Sequence, residues 1–155
     1  MCWERRNYTI QELRGRILAI DVGARRVGLA ISDASRTLAR PLETIAVASE
    51  ADAVERVGLR IEQLDREDEG IATIVVGMPS SLDGTPTPQT AKVQAFIARL
   101  KARTPLPIAT EDERLTSVEA ESRLARREKD WRKRKAQLDA ASAAVFLQDY
   151  LDRTL

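Results

Sequence analysis

The stretch ILAIDVGARRVGLAISD, residues Ile17 to Asp33, decides how this chain folds. An apolar run reaches Asp21, breaks at Gly23, passes Arg25 and Arg26, and resumes as a second apolar run ending at Asp33. RILAI and RVGLAIS, joined by the glycine-containing DVGAR, read as an antiparallel hairpin. The first strand therefore delivers a carboxylate, Asp21, at its end, with glycine and arginine beside it. An Asp before Gly can accept turn amides, so a turn role for Asp21 stands beside a chemical one. Asp33 reads as a structural acid in the turn after the second strand.

Working outward, RPLETIAV reads as a third strand with Pro41 at its start. From Ser49 the period changes: Val54, Val57, Ile61 and Leu64 recur at helical spacing. REDEG closes that helix, with Gly70 as its C-cap. IATIVVGM is a nearly continuous β-branched run, as expected of a central strand buried on both faces. PSSLDGTPTP is a turn-rich loop. Thr87 then opens a helix with Pro88 at its first position, and Val93, Phe96, Ile97 and Leu100 form its buried face. PIAT is a short fifth strand, followed directly by EDER. Thr116 and Glu119 form a capping box that starts another helix. Arg123 to Gln137 is dominated by polar residues, and LDAASAAVFLQDYL is a final apolar helix. The order β-β-β-α-β-α-β-α-α predicts a mixed α/β five-stranded sheet flanked by helices, in a single domain over residues 16–155.

Composition narrows the chemistry. The chain has 155 residues, enough for one domain, and 43% of them are hydrophobic, enough for a core. Charged residues make up 32%, yet the net charge is only +1, so any nucleic-acid surface must be a local patch. There is no histidine, which removes a His base, a Ser-His-Asp triad and the commonest zinc ligand. The one cysteine, Cys2, gives neither a disulfide framework nor a thiolate metal site, and a reduced cytoplasm is the expected setting. No apolar run reaches bilayer length. Residues 1–15 carry early charges and lack the apolar core of a signal peptide; they read as an extension whose Trp3, Tyr8, Ile10 and Leu13 are candidates to dock on the domain.

Most of the 24 acids must be solvated. Three positions differ by where they fall. Asp21 ends the first strand, Asp112 and Glu113 follow the fifth, and Asp139 lies in the first turn of the last helix against Ala, Val, Phe and Leu. Ligand sites of α/β sheets gather at the carboxyl ends of strands. Clustered carboxylates without histidine or thiolate suit a hard cation, Mg²⁺ or Mn²⁺. The plain alternatives are surface pairing of Asp112 or Glu113 with Arg114, and a dipole-favoured N-terminal helix acid at Asp139. Asp149 and Asp152, late in the last helix, read as solvent-facing.

LAIDVGARRVGLAISD, IVVGMPSSLDGTPTPQTAKVQAFIARL, EDERLTSVEAE and LDAASAAVFLQDYL resemble, in order, the four motif blocks of the YqgF/RuvX family. That family comprises RNase H-like nucleases associated with Holliday junction resolution or pre-16S ribosomal RNA processing. The resemblance covers roughly Arg16 to Leu151 and leaves the extension outside it. It implies an RNase H-like fold. It also implies that Asp21, Glu113 and Asp139 are the catalytic, metal-binding acids, with Asp112 the alternative to Glu113. Asp83 and Gly84 belong to the family motif. The charged run RREKDWRKRKAQ is a departure from it.

Two-metal phosphodiester hydrolysis needs no side-chain nucleophile, only carboxylates that hold the ions. Substrate grip falls to cations: Arg25 and Arg26 beside Asp21, and Arg114 beside Glu113. Arg126, Arg127, Lys129, Arg132, Lys133, Arg134 and Lys135 form the densest basic stretch, and Trp131 within it is placed to stack on an unpaired base. The implied partner is nucleic acid, a DNA junction or an rRNA precursor, met by a monomer or a two-fold homodimer. Sugar-kinase and actin-like ATPases also begin with Asp-x-Gly on a hairpin, but they need two such domains where this chain has one. A nucleic-acid-binding or ribosome-assembly factor with little or no cleavage is the other competing class.

Overall fold

The computed structural model describes residues 15–79, 85–112 and 131–154. The extension before Gly15, Asp83 and Gly84, Glu113, Arg114, the capping box at Thr116, and Arg126, Arg127 and Lys129 lie outside the described residues.

Five strands form one sheet: β1 (Arg16–Val22), β2 (Arg26–Ser32), β3 (Ala39–Ala46), β4 (Ile71–Met78) and β5 (Ile108–Asp112). Their order across the sheet is β3-β2-β1-β4-β5. The first three strands form an antiparallel meander, whereas β4 joins β1 and β5 joins β4 in parallel. Pro41 sits opposite Ala30 where the β2–β3 register shifts, on an edge strand and at an irregularity, the two places where a residue without an N–H is tolerated.

Strand alternation splits the apolar residues between two cores. Leu18, Ile20, Val27, Leu29, Ile31, Ile74 and Val76 face α1 (Glu50–Asp65) and α2 (Pro88–Arg103). Ile17, Ala19, Ala30 and Val75 face the third described helix, α3 (Trp131–Thr154), and meet Ala143, Phe146, Leu147 and Leu151. The large β-branched and leucine side chains fill the α1/α2 side. The α3 side carries alanines, which let that helix sit close to the sheet. Burying Phe146 and Leu147 contributes about 1.5–3 kcal/mol each.

Helix boundaries mark where sequence patterns fall short. Ser49, where the sequence period changes, caps α1, its side chain accepting from the Asp52 amide, and Thr87 precedes Pro88 at the start of α2 as the sequence indicates. Gly70 is not the cap of α1. The helix ends at Asp65 with Arg66 as its C-cap, the charged run makes a further turn, and Gly70 adopts φ +58° to enter β4. β5 runs on through Glu111 and Asp112 rather than stopping at Thr110. α3 starts at Trp131, seven residues before the apolar segment that begins at Leu138, because a helix can extend through polar residues once its C-terminal half is docked.

Candidate active site

Asp21 is the penultimate residue of β1 and pairs directly with Gly28 of β2. Alternation puts Asp21 on the same face as Ile17 and Ala19, the face that α3 covers. The turn after it is tight. The Gly23 amide donates to the Arg26 carbonyl at 2.9 Å, and a Cβ at Gly23 would stand 2.6 Å from that oxygen. Only glycine fits there, and its amide is spent on Arg26 rather than on Asp21.

Asp139 approaches from α3. Its backbone lies against Gly28: a Cβ on Gly28 would stand 2.2 Å from the Asp139 carbonyl carbon and carbonyl oxygen. The cross-strand partner of Asp21 is thus the residue on which the Asp139 turn of α3 rests. Asp139 is the ninth residue of α3 and not part of its first turn. Two turns into the helix the macrodipole gives little, so a plain N-terminal helix role does not account for this acid.

The electrostatics of Asp139 are those of an acid short of compensating charge. Its side chain is 26% exposed and lies 3.2 Å from Arg26 Nε. Burial raises its pKa above the usual aspartate value, and the Arg26 guanidinium opposes that rise without cancelling it. A half-buried carboxylate in this position is a ready acceptor for further positive charge.

At the end of β5 the acids divide by face. Asp112 pairs with Met78, which packs on the α1/α2 core, so the register places Asp112 on the face opposite Asp21 and Asp139. Glu111 pairs with Gly77 and is buried, with its carboxylate accepting from the Arg153 guanidinium of α3. Desolvation raises the Glu111 pKa. Arg153 opposes this, while Asp149 and Asp112 add to the rise. Sequence reasoning missed Glu111 because it opens EDER and looks like surface charge. Counting β5 at period two from Ala109 would have placed it on the α3 face. Asp149 and Asp152 are exposed, as expected, and Asp33 accepts the Thr37 and Leu38 amides as a turn acid.

Among the described residues no three His, Cys, Asp or Glu side chains form a group that could hold a metal ion. The described part of the expected trio is Asp21 and Asp139, brought to one face of adjacent strands. Of the expected cations, Arg26 is paired with Asp139. Arg25 is exposed at the turn and has no ion pair or side-chain hydrogen bond among the described residues. Trp131, Arg132, Lys133, Arg134 and Lys135 form the start of α3.

The family described as "RuvX: Holliday junction resolvase" matches residues 15–153. A protein of Roseiflexus sp. (strain RS-1) named "Putative pre-16S rRNA nuclease" is 38% identical over 138 residues, covering 89% of this chain and 94% of that one. One of the same name from Chloroflexus aurantiacus is 44% identical over 136 residues, covering 88% and 86%. Among solved structures, the fowlpox virus Holliday junction resolvase superposes with a TM-score of 0.53 at 13% identity, covering 90% of this chain and 99% of that one. T. thermophilus RuvC in complex with a Holliday junction substrate gives 0.51 at 16%, covering 90% and 95%. At such identities these structures speak to the fold alone, and they agree that the sheet and helices are of the RNase H-like resolvase kind. With the family match spanning nearly the whole domain, the chain belongs to the RuvX family of nucleases.

Proposed function

We propose that this protein is a metal-dependent nuclease hydrolysing phosphodiester bonds of structured nucleic acid, either Holliday-junction-like DNA or the 5′ end of pre-16S rRNA. The observation that carries this reading is the docking of Asp139 on Gly28, the strand partner of Asp21. A fold that serves only to bind has no need to dock a desolvated helix carboxylate on the strand partner of a strand-end acid. Asp21, Glu113 and Asp139 would hold Mg²⁺ or Mn²⁺, and the donor set fits, being all hard oxygen with one member short of compensating charge. Asp112, on the opposite face, is the weaker alternative to Glu113.

Divalent ions held by these acids would activate a water for attack and stabilise charge at the leaving oxygen, in the two-metal manner. The protein's own residues orient and balance. β1 holds Asp21 rigidly at its end, and Gly28 fixes the height of Asp139 above the sheet. Arg26 offsets part of the Asp139 charge at 3.2 Å. Arg25 faces solvent beside the site, placed to hold a phosphate oxygen. Arg114, Trp131 and the Arg132–Lys135 run are proposed to extend the grip along the substrate. No helix among the described residues is long and apolar enough to cross a membrane, and cytoplasmic action on nucleic acid, as a monomer or a two-fold homodimer, is part of the proposal.

The experiment is a cleavage panel with Mn²⁺ or Mg²⁺ against end-labelled four-way junction, continuous duplex DNA, structured RNA and single-stranded RNA. Product from at least one of the structured substrates is expected. No product from any substrate in either metal would leave a binding or assembly factor as the better reading.

A further inference from the structure

On the far side of the β1–β2 turn from Asp139 lies a cleft that the chemistry proposed above does not use. It measures about 260 Å³ and opens between the turn and the N-terminal halves of α1 and α2. Val22, Ala24 and the buried Phe96 line it, together with Glu50, Gln89 and Lys92. Gln89 Nε2 donates to the Val22 carbonyl at 3.2 Å, tying α2 to the strand that carries Asp21.

The size and chemistry of the cleft select a ligand. Its volume falls just under the range of about 300–1,000 Å³ typical of small-molecule pockets. It therefore suits one flat ring system. Its lining offers an apolar slot with an acceptor at Gln89 and a donor at Lys92, while Glu50 is paired with Arg99 at 3.1 Å. Arg16, Arg56, Arg60, Arg99 and Arg103 are all engaged in ion pairs. Lys92, in the lining of this cleft, and Arg25, the exposed residue that follows Ala24 of the lining, have no ion pair or side-chain hydrogen bond among the described residues. An apolar slot with an unpaired lysine in its lining and an unpaired arginine in the adjoining turn matches a nucleotide, with its ring inside and its phosphates outside.

We propose that this cleft receives one unstacked base of the strand being cut, with Lys92 and Arg25 on the neighbouring phosphates. The inference rests on the nuclease reading and deepens it. The cleft shares Val22 and Gly23 with the turn that follows Asp21; Asp21 itself faces the α3 side, so a strand with a phosphate at Asp21 reaches the cleft by rounding that turn. A base in continuous duplex must lose its stacking and pairing to enter, and one that is already unpaired enters freely. The preferred substrate is then a strand with an unpaired nucleotide beside the scissile bond, as at a junction crossover or in a single-stranded tail.

The test compares binding of a single-stranded oligonucleotide carrying 2-aminopurine with binding of a continuous duplex of the same sequence. It uses the full chain in EDTA. Ala24→Leu fills the mouth of the cleft from an exposed turn position; an unchanged melting temperature shows that the fold is kept. That variant is expected to weaken single-strand binding by about tenfold, within the range of a missing base stack, and to leave duplex binding unchanged. It should also abolish the 2-aminopurine emission change seen with the parent. Lys92→Gln, at an exposed helix position, should lower the salt slope on single strands by about 0.7. If Ala24→Leu binds both forms as the parent does, or weakens both alike, the cleft is not a base site. If the parent meanwhile still cleaves, the nuclease reading stands alone. A parent that binds neither form overturns both.

Discussion

Gly28 and Asp139 are in backbone contact: a Cβ on Gly28 would stand 2.2 Å from the Asp139 carbonyl carbon and 2.6 Å from the Ala140 amide nitrogen. Helix α3 and strand β2 therefore touch without a side chain between them, at the level of Asp21. One glycine sets how close two acids distant in sequence come to each other.

Gly28→Ala should push α3 off the sheet. Overpacking against backbone, which cannot rotate away, is expected to cost about 2–3 kcal/mol. Activity should fall by more than stability alone explains, since Asp139 is displaced from Asp21. Gly58→Ala is the control, because a Cβ there meets only the flexible Arg103 side chain, at 2.8 Å. Chemical denaturation of the two variants beside a cleavage assay checks both parts. Equal effects at the two glycines would show that the close approach at Gly28 is unimportant.

Asp139→Asn should not destabilise the metal-free protein at neutral pH. The folded pKa of Asp139 is raised, so as pH climbs through the unfolded value of about 3.9 the unfolded chain ionises first. The folded state then loses stability until its own pKa is passed, and the loss persists above it. The amide removes this penalty, and Arg26, with a side chain 45% exposed, stays solvated without its partner. Melting without metal should therefore be no lower than for the parent. Saturating Mn²⁺, at about a hundred times its dissociation constant, should add about 2.7 kcal/mol to the parent and much less to the variant. A variant that melts well below the parent, yet gains as much from Mn²⁺, would contradict both halves.

The hairpin, the buried β4 and the two cores were legible because strand and helix periods differ and the runs are long. Asp21 was legible because it interrupts an apolar strand at a glycine turn. The position of Asp139 within its helix was not. Residues 131–137 have no apolar face, so nothing marks the helix there, and α3 extends through them because Phe146, Leu147 and Leu151 dock its other half. Glu111 was hidden for a different reason: its burial depends on Arg153, 42 residues away. Gly28 looked like any small residue in a strand, and only the approach of α3 gives it a role.

Replacing Arg132, Lys133, Arg134 and Lys135 with Ala should weaken binding to all nucleic acids in similar proportion. Phosphate interactions carry no sequence information. Every cation–phosphate pair removed in this way should lower the salt slope of log K by about 0.9 on duplex DNA and about 0.7 on single strands. These residues open α3 ahead of its docked half, so thermal stability should change little. Titrations at several salt concentrations decide the matter. An unchanged slope would leave Arg25, beside Asp21, as the main grip on phosphate.

The most direct test of the central claim is cleavage of a labelled four-way junction and a pre-16S rRNA fragment by parent and Asp21→Asn protein, in Mn²⁺ and in excess EDTA. The account predicts cleavage by the parent in Mn²⁺ and none in EDTA. For Asp21→Asn it predicts a correctly folded protein about a hundredfold slower, which corresponds to roughly 3 kcal/mol less transition-state stabilisation. Cleavage that persists in the chelator, or a folded Asp21→Asn protein as active as the parent, would contradict it.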